Sequence, residues 1–284
     1  MKITADLHSH TTASDGEWTP SAVVEAAAAR GLAALAITDH DTVAGLPEAI
    51  EYGGNLGIEI IPGCELTAYE GAIELHILAY FIDHAPGSQF TALLERLQHA
   101  RKERALAMAA KLRTAGFLID DADVLEAARG AASIGRPHVA AAIVKRGHAP
   151  SVNAAIVKFL LPGGAGYVEK LRLTPEDVFA AVRGSGGVTI LAHPGSAPHD
   201  ELISPLFRRG LDGVEAFYRG HSEVNRRFYA GLARRYGKLT SGGSDFHGPT
   251  VRPGVSVGDG GIDGSTLNAL RAAATQRKQT IALS

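Results

Sequence analysis

The chain has 284 residues with 28 Lys and Arg against 30 Asp and Glu, so no broad positive field marks it for long duplex nucleic acid. Its one cysteine excludes a disulfide framework and a Cys-rich zinc module. No basic segment followed by an apolar run opens the chain and no stretch approaches the roughly 18 apolar residues of a membrane span, so a soluble cytoplasmic protein is expected, with no membrane partner.

The first element is the opening "MKITADLHSHTTASDG". Side chains of an extended segment alternate between two faces, so Ile3, Ala5 and Leu7 are expected on one face and Asp6, His8 and His10 on the other. A lone histidine is usually a surface or core residue. A His-x-His pair with carboxylates beside it is instead the nitrogen and oxygen set that divalent metals take. Next, "TPSAVVEAAAARG" reads as a helix with Thr19 as N-cap, Pro20 in the first turn and Gly31 past the end, and "TPEDVFAAVRG" repeats this with Thr174, Pro175 and Gly184.

The apolar runs 32–38, 58–66, 73–81, 187–193, 212–217 and 238–245 read as short buried strands. Alternating with helices, they predict an α/β fold with a mainly parallel sheet. Residues 84–168 break the pattern. They hold one long helix candidate (88–116) and three shorter ones (121–130, 135–147, 151–160), with no strand, so the expected organisation is a barrel of 1–83 and 169–284 with a helical insertion of 84–168. "PGGAG" near the end of the insertion lacks the Lys-Ser/Thr of a phosphate-binding loop and reads as a hinge. A last helix is expected from Ser265.

Polar residues fall at the ends of these strands: Asp39, His40 and Asp41; Glu65; His193; Asp245 and His247; with His76 inside its run. Six of the twelve histidines lie on or just after expected strands, where the mouth of an α/β barrel forms. With Asp15, Glu65 and Asp245 they make nine ligand candidates, more than one ion needs, which points to two or three ions with Glu65 and Asp15 suited to bridging.

"DLHSHTTASDG", "ITDHDT", "GCEL", "AHPG" and "GSDFH", in this order, resemble the successive motifs of the PHP (polymerase and histidinol phosphatase) superfamily of metal-dependent phosphoesterases. The resemblance covers 1–83 and 169–284. It implies a distorted seven-stranded (β/α) barrel holding up to three divalent ions per subunit, manganese first, with zinc or iron as alternatives. Carried over, His8, His10, Glu65 and Asp245 would hold one ion, Asp15, His40 and His247 a second, and Glu65, His76 and His193 a third. The insertion and its "GRPH" are similar to the subgroup acting on nucleotides, which includes 3',5'-nucleotide bisphosphate phosphatases and short-RNA 5'-to-3' exonucleases.

Such ions activate water, polarise phosphoryl oxygens and offset charge on the attacking and leaving oxygens. A bridging hydroxide is therefore the expected nucleophile, attacking in line without a phosphoenzyme. Cys64 suits that role poorly, since its strand neighbour Glu65 takes the opposite face. Asp15, His193 or His247 would assist proton transfer to the leaving alkoxide. Asp6, Asp39 and Asp41 are expected to brace metal-bound imidazoles through the second ring nitrogen. Lys102, Arg104 and Arg136 from the insertion, and His221, are the candidates for holding substrate, although a charge run on a helix is usually a solvated face; His138 and Tyr167 read as structural.

A cationic insertion suits a second, non-reacting phosphate whose binding energy positions the first. The leading expectation is a phosphatase that removes the 3'-phosphate of nucleoside 3',5'-bisphosphates. An exonuclease on short RNA or DNA comes second, with 6% aromatic residues offering few stacking platforms, and a histidinol-phosphate phosphatase third. Two other classes are weighed: a silent metal-binding module, which would lack ligands where none is missing here, and an amidohydrolase, whose barrels share the His-x-His opening.

Overall fold

Seven strands form where the apolar runs stand: β1 (Ala5–Asp6), β2 (Ala34–Ile37), β3 (Glu59–Glu70), β4 (Ile73–Tyr80), β5 (Val188–Leu191), β6 (Gly213–Glu215) and β7 (Leu239–Ser241). They build one sheet in chain order. The computed structural model describes residues 2–129, 134–196 and 199–283, and Gly130, at the end of one expected helix, lies outside them. The pairs β1–β2, β2–β3, β5–β6 and β6–β7 are parallel, but β4 runs against both β3 and β5. Only two residues, Gly71 and Ala72, separate the paired Glu70 and Ile73. That is too short for a parallel crossover, and Gly71 takes the turn at φ 60. The sheet is mixed, and Glu65 and His76 lie inside a long hairpin and not at strand ends.

The sheet curls until its edges meet. Leu7 N donates to Gly242 O at 3.1 Å, Asp245 N to His8 O at 2.8 Å and His10 N to Phe246 O at 2.8 Å. This distorted seven-stranded α/β barrel is the fold the sequence resemblance implies.

Each of the two units has its own core. In the unit formed by Met1–Leu93 and Arg172–Ser284, α1 (Pro20–Ala29) starts as its cap predicts, with Thr19 Oγ1 accepting the Ala22 amide. The sequence pattern does not announce α2 (Leu46–Leu56), because Gly53 and Gly54 weaken it. Gly53 serves packing, since a Cβ there would meet Ile60 Cγ1 at 2.6 Å and Ile58 O at 2.8 Å. The second unit, Leu94–Leu171, holds most of α3 (Gln89–Thr114), then α4 (Asp121–Ala127), α5 (Arg136–Lys145) and α6 (Val152–Ala155), which runs on as a π turn over Ile156–Leu160. Among the described residues no strand occurs there. Its core joins Met108 and Leu112 of α3 to Val124, Ile143 and Phe159. "PGGAG" is a hydrogen-bonded turn, with Gly164 N donating to Leu161 O and Gly166 N to Phe159 O.

Back in the first unit come α7 (Pro175–Gly184), α8 (Ile203–Arg209), α9 (Glu223–Arg235) and α10 (Gly264–Ala282). The first has the capping box expected at Thr174, paired reciprocally with Asp177. Strand β2 shows how the layers are made. Ala34 and Ala36 join a cluster drawn from β1, β3, β4, β5 and α10, while Leu35 and Ile37 join α1 and α2, so both faces of the strand are covered, as the apolar run requires.

Asp212 ties three of these elements together. Its carboxylate accepts the Thr189 amide and hydroxyl at 2.9 and 3.0 Å and both terminal nitrogens of Arg277 on α10 at 2.9 and 2.8 Å. Burial raises the carboxyl's pKa, but the Arg277 hydrogen bonds and the Thr189 donors outweigh it and hold the group below the usual range. Arg277→Ala should therefore lower unfolding stability by about 1–3 kcal/mol at neutral pH. A group with a depressed folded pKa contributes above its unfolded value and loses that contribution as pH falls through the folded one. Denaturant titrations should show the gap to wild type closing below about pH 4.

Candidate metal centre

Six segments deliver the nine candidate ligands. His8 and His10 follow β1, Asp15 sits in the next loop, His40 follows β2, Glu65 and His76 lie on β3 and β4, His193 follows β5, and Asp245 and His247 follow β7. Two ligands leave the sheet through strained backbone, His193 at φ 29 and Asp245 at φ 55, as does Asp41 at φ 51.

Glu65 lies at the middle, 1% exposed. Its Oε2 is 3.2 Å from His8 Nε2, 3.1 Å from His10 Nε2 and 3.4 Å from His40 Nδ1, and its Oε1 is 3.0 Å from His76 Nδ1 and 3.2 Å from His193 Nε2. Burial raises the carboxyl's pKa, yet the charges of His8 and His40 and the contacts of His10 and His193 hold it well below its ordinary value. Asp245 Oδ1 stands 3.4 Å from His8, His10 and His247. Asp15, half-exposed, faces His247 at 3.4 Å and His10 at 3.5 Å. Burial lowers His10, but the Asp245 and Glu65 carboxylates raise it to about 9, whereas burial pulls His40 down to about 4.

The fit to metal ions rests on His10. It is fully buried, and neither ring nitrogen has a hydrogen-bond partner, although carboxylate oxygens stand 3.1–3.5 Å away. Donor atoms this close that do not point at one another are aimed at shared positions between them. Four groups have all their donor atoms within 4.8 Å of one another: His10, Asp15, His40 and His247; His8, His10 and Glu65; His8, His193 and Asp245; His40, Glu65 and His76. These groups draw on all nine sequence candidates. They differ from the carried-over partition in that His10 also joins the Asp15 set, His40 takes the place of His193 beside Glu65 and His76, and His193 and Asp245 fall together with His8.

The residues around the cluster depart from expectation. His8 presents Nδ1 to Glu215, at 3.1 and 3.3 Å from its two carboxylate oxygens, and Glu215 Oε2 also accepts the His193 amide at 2.7 Å. Glu215 is absent from the sequence reading; its signal is an acidic residue inside the apolar run "DGVEAF". Asp6 instead accepts the amides of His8, Ser244 and Gly258, because β1 leaves the regular ladder after two residues and strict alternation ends there. Burial raises Asp6 to about 6. Asp39 accepts the Thr11 amide and hydroxyl and the Ser14 hydroxyl, bracing the loop that carries Asp15, and Asp41 accepts the Thr67 amide. Cys64 is buried, its thiol pushed up by burial and directed at Asp39 O.

Arg252 and Tyr218 are also missing from the sequence reading. Arg252 Nη1 contacts Asp245 Oδ2 and donates to Tyr218 Oη at 3.1 Å, and the Tyr218 hydroxyl donates to Asp245 at 3.4 Å. His221 is buried with its ring nitrogens 3.1 Å from Ala216 O and 2.5 Å from Pro194 O. It fixes the turn after His193 and does not present a ring nitrogen to substrate. A cavity of about 170 Å³ borders the cluster, lined by His76, His193, Glu74, Ser196, His199 and Asp200 among others.

Within the second unit, Arg101, Arg104, Arg136 and Lys170 line another cavity of about 170 Å³, with no acidic residue on its wall among the described residues. Lys102 is exposed and takes no part. Residues two apart on a helix lie about 200° apart, so Lys102 cannot share a face with Arg104; Arg101 does, at i−3. His138 accepts the Gly135 amide and caps α5, and Tyr167 O accepts from Lys111. Among the described residues no helix is long and apolar enough to cross a membrane.

The family model for the PHP domain matches residues 6–121. The chain is similar to the 3',5'-nucleoside bisphosphate phosphatase of Chromobacterium violaceum, 34% identical over 263 residues that cover 91% of this chain and 89% of that one. It is similar to the 5'-3' exoribonuclease Rnm of Escherichia coli, 35% identical with coverages of 89% and 87%. A solved structure described as that of a metal-dependent phosphoesterase from Bifidobacterium adolescentis superposes with a TM-score of 0.74 at 32% identity, covering 95% and 96% of the two chains.

Glu215→Ala should weaken Mn²⁺ binding by about 10–100-fold in chelator competition, since it frees the second ring nitrogen of His8. Glu215→Gln, whose carbonyl still accepts from that nitrogen, should lose less. Unchanged affinity in both variants would remove Glu215 from the centre.

Proposed function

The chain belongs to the PHP-domain family of metal-dependent phosphoesterases, and from that premise we propose that it hydrolyses the 3'-phosphate of nucleoside 3',5'-bisphosphates, giving a 5'-nucleotide and phosphate. The observation that carries this choice is the 34% identity, over 91% of the chain, to the 3',5'-nucleoside bisphosphate phosphatase of Chromobacterium violaceum; Arg101, Arg104, Arg136 and Lys170, which line a cavity in the second unit, are the proposed cations for a phosphate. Guanidinium forks suit phosphate oxygens in pairs. Energy gained on the remote phosphate would hold the reacting one in place.

Ions held by His8, His10, Asp15, His40, Glu65, His76, His193, Asp245 and His247 would polarise the phosphoryl oxygens, activate water and offset the developing charge. Manganese, zinc and iron all suit a donor set of imidazoles and carboxylates. Asp15 is held below the usual carboxylate range; burial raises it, but the His247 hydrogen bond and the charges of His40, His10 and His247 outweigh that. Asp15, His193 or His247 would assist proton transfer to the leaving alkoxide. Arg252, which reaches Asp245, would offset charge that builds on a phosphoryl oxygen.

A second reading, a 5'-to-3' exonuclease on short oligonucleotides, has its own support in the 35% identity to the Escherichia coli exoribonuclease, since the same centre can act on a diester. Kinetics on adenosine 3',5'-bisphosphate, histidinol phosphate and a short RNA separate the readings. Inorganic phosphate and AMP from the bisphosphate, at the highest kcat/KM of the three, are expected. Release of 5'-mononucleotides from RNA at a higher kcat/KM would transfer the assignment to the exonuclease. Arg136→Ala should raise KM for the bisphosphate about tenfold, the loss of one charge-assisted hydrogen bond. It should leave KM for a simple monophosphate within about twofold; equal effects on both would remove Arg136 from substrate binding.

A further inference from the structure

We propose that a groove along α9 is a second nucleotide site, one that binds a nucleoside monophosphate through its phosphate and takes no part in hydrolysis. A cavity of about 610 Å³ runs along this helix, and none of its lining residues belongs to the metal-ligand groups. That volume lies within the range of about 300–1,000 Å³ usual for small-molecule sites.

The groove follows from helical spacing. Arg226, Ala230 and Arg234 stand four residues apart and Glu223, Arg227 and Gly231 likewise, so the two rows share one face. Arg227 is offset by Glu223, its Nε 3.0 Å from the carboxylate. Arg226 and Arg234 are not offset. Among the described residues, no hydrogen bond or ion pair reaches either side chain, and Arg226 Nε is shielded from solvent without a partner. A shielded N–H of a permanent cation calls for an anionic acceptor. Two guanidinium groups one helical turn further apart than neighbours, on either side of a small residue, can close on one phosphate from two directions.

Gly231 leaves the floor of the groove open, since a Cβ there would meet nothing within 4 Å. Phe217 and Ile3 make the apolar part of the groove's wall. A phosphate alone would leave that wall without a use; a nucleoside attached to it lays its base against Phe217, a contact that tolerates any base.

Equilibrium dialysis of radiolabelled AMP against the metal-loaded protein tests this. The wild type should bind one equivalent more per chain than Arg226→Gln/Arg234→Gln, with kcat on the bisphosphate unchanged. This difference is independent of whether the metal centre also holds AMP, so it stands or falls separately from the reaction assigned above. Gly231→Glu gives a second reading: it improves helix propensity, meets open space and places a carboxylate where the phosphate lies, and should also remove one equivalent. Equal stoichiometry in wild type and both variants overturns the site. Adenosine should fail to displace the extra equivalent; displacement as effective as by AMP would overturn recognition through phosphate.

Discussion

Everything in the catalytic unit answers to one buried carboxylate surrounded by five imidazoles. Glu65, withdrawn from water, is stable only while positive charge lies against it. The imidazoles can supply that as protons, as the rise of His10 and His76 to about 9 indicates, or give it up to metal ions that need the same nitrogens unprotonated. The centre therefore holds cationic charge in either state.

That requirement fixes backbone far from any ligand. His8 can approach the chain after β7 only because residue 243 is glycine; a Cβ there would meet His8 Cβ at 2.3 Å and His8 N at 2.5 Å. Asp6 then bonds the His8 and Ser244 amides together, and Glu215 sets the His8 ring and the His193 amide at once. On the hairpin, Glu65 opposes Leu78 and Thr67 opposes His76. Glu65 and His76 are thus diagonal neighbours on one face, a spacing that side chains span. Reversing β4 is what brings His76 into the cluster from inside a strand, and a parallel strand at that place would offer its end instead.

The sequence made the ligand types and most of the strands legible, because both depend on local patterns: apolar runs, cap residues and histidines beside acids. What it hid depends on long-range geometry. The reversal of β4 rests on a two-residue turn whose glycine resembles many other glycines. Glu215 sits one strand away from the histidine it serves, and nothing in "DGVEAF" points to His8. The period of two assigned Asp6 to the cluster, and it fails where β1 leaves the ladder, so Asp6 braces amides in place of imidazoles. Lys102 is a different case. The 200° between it and Arg104 follows from helix geometry alone, and a charge run read as a string and not as a surface conceals it. Helix α2 stayed hidden because the glycine that weakens its signal is the one its packing on Ile58 and Ile60 requires.

A phosphatase and an exonuclease match this chain with nearly equal identity, so the groups around the centre, and not overall similarity, carry the choice of reaction. The cavity beside His76 and His193 is one place where such a choice can be made. Glu74 and Asp200 stand on its wall with Leu75, Leu191 and Ile203, beside the imidazoles of His76, His193 and His199. Both acids are engaged by tyrosine hydroxyls, Glu74 by Tyr69 and Asp200 by Tyr229. Their charge is therefore held in position instead of swinging out to solvent.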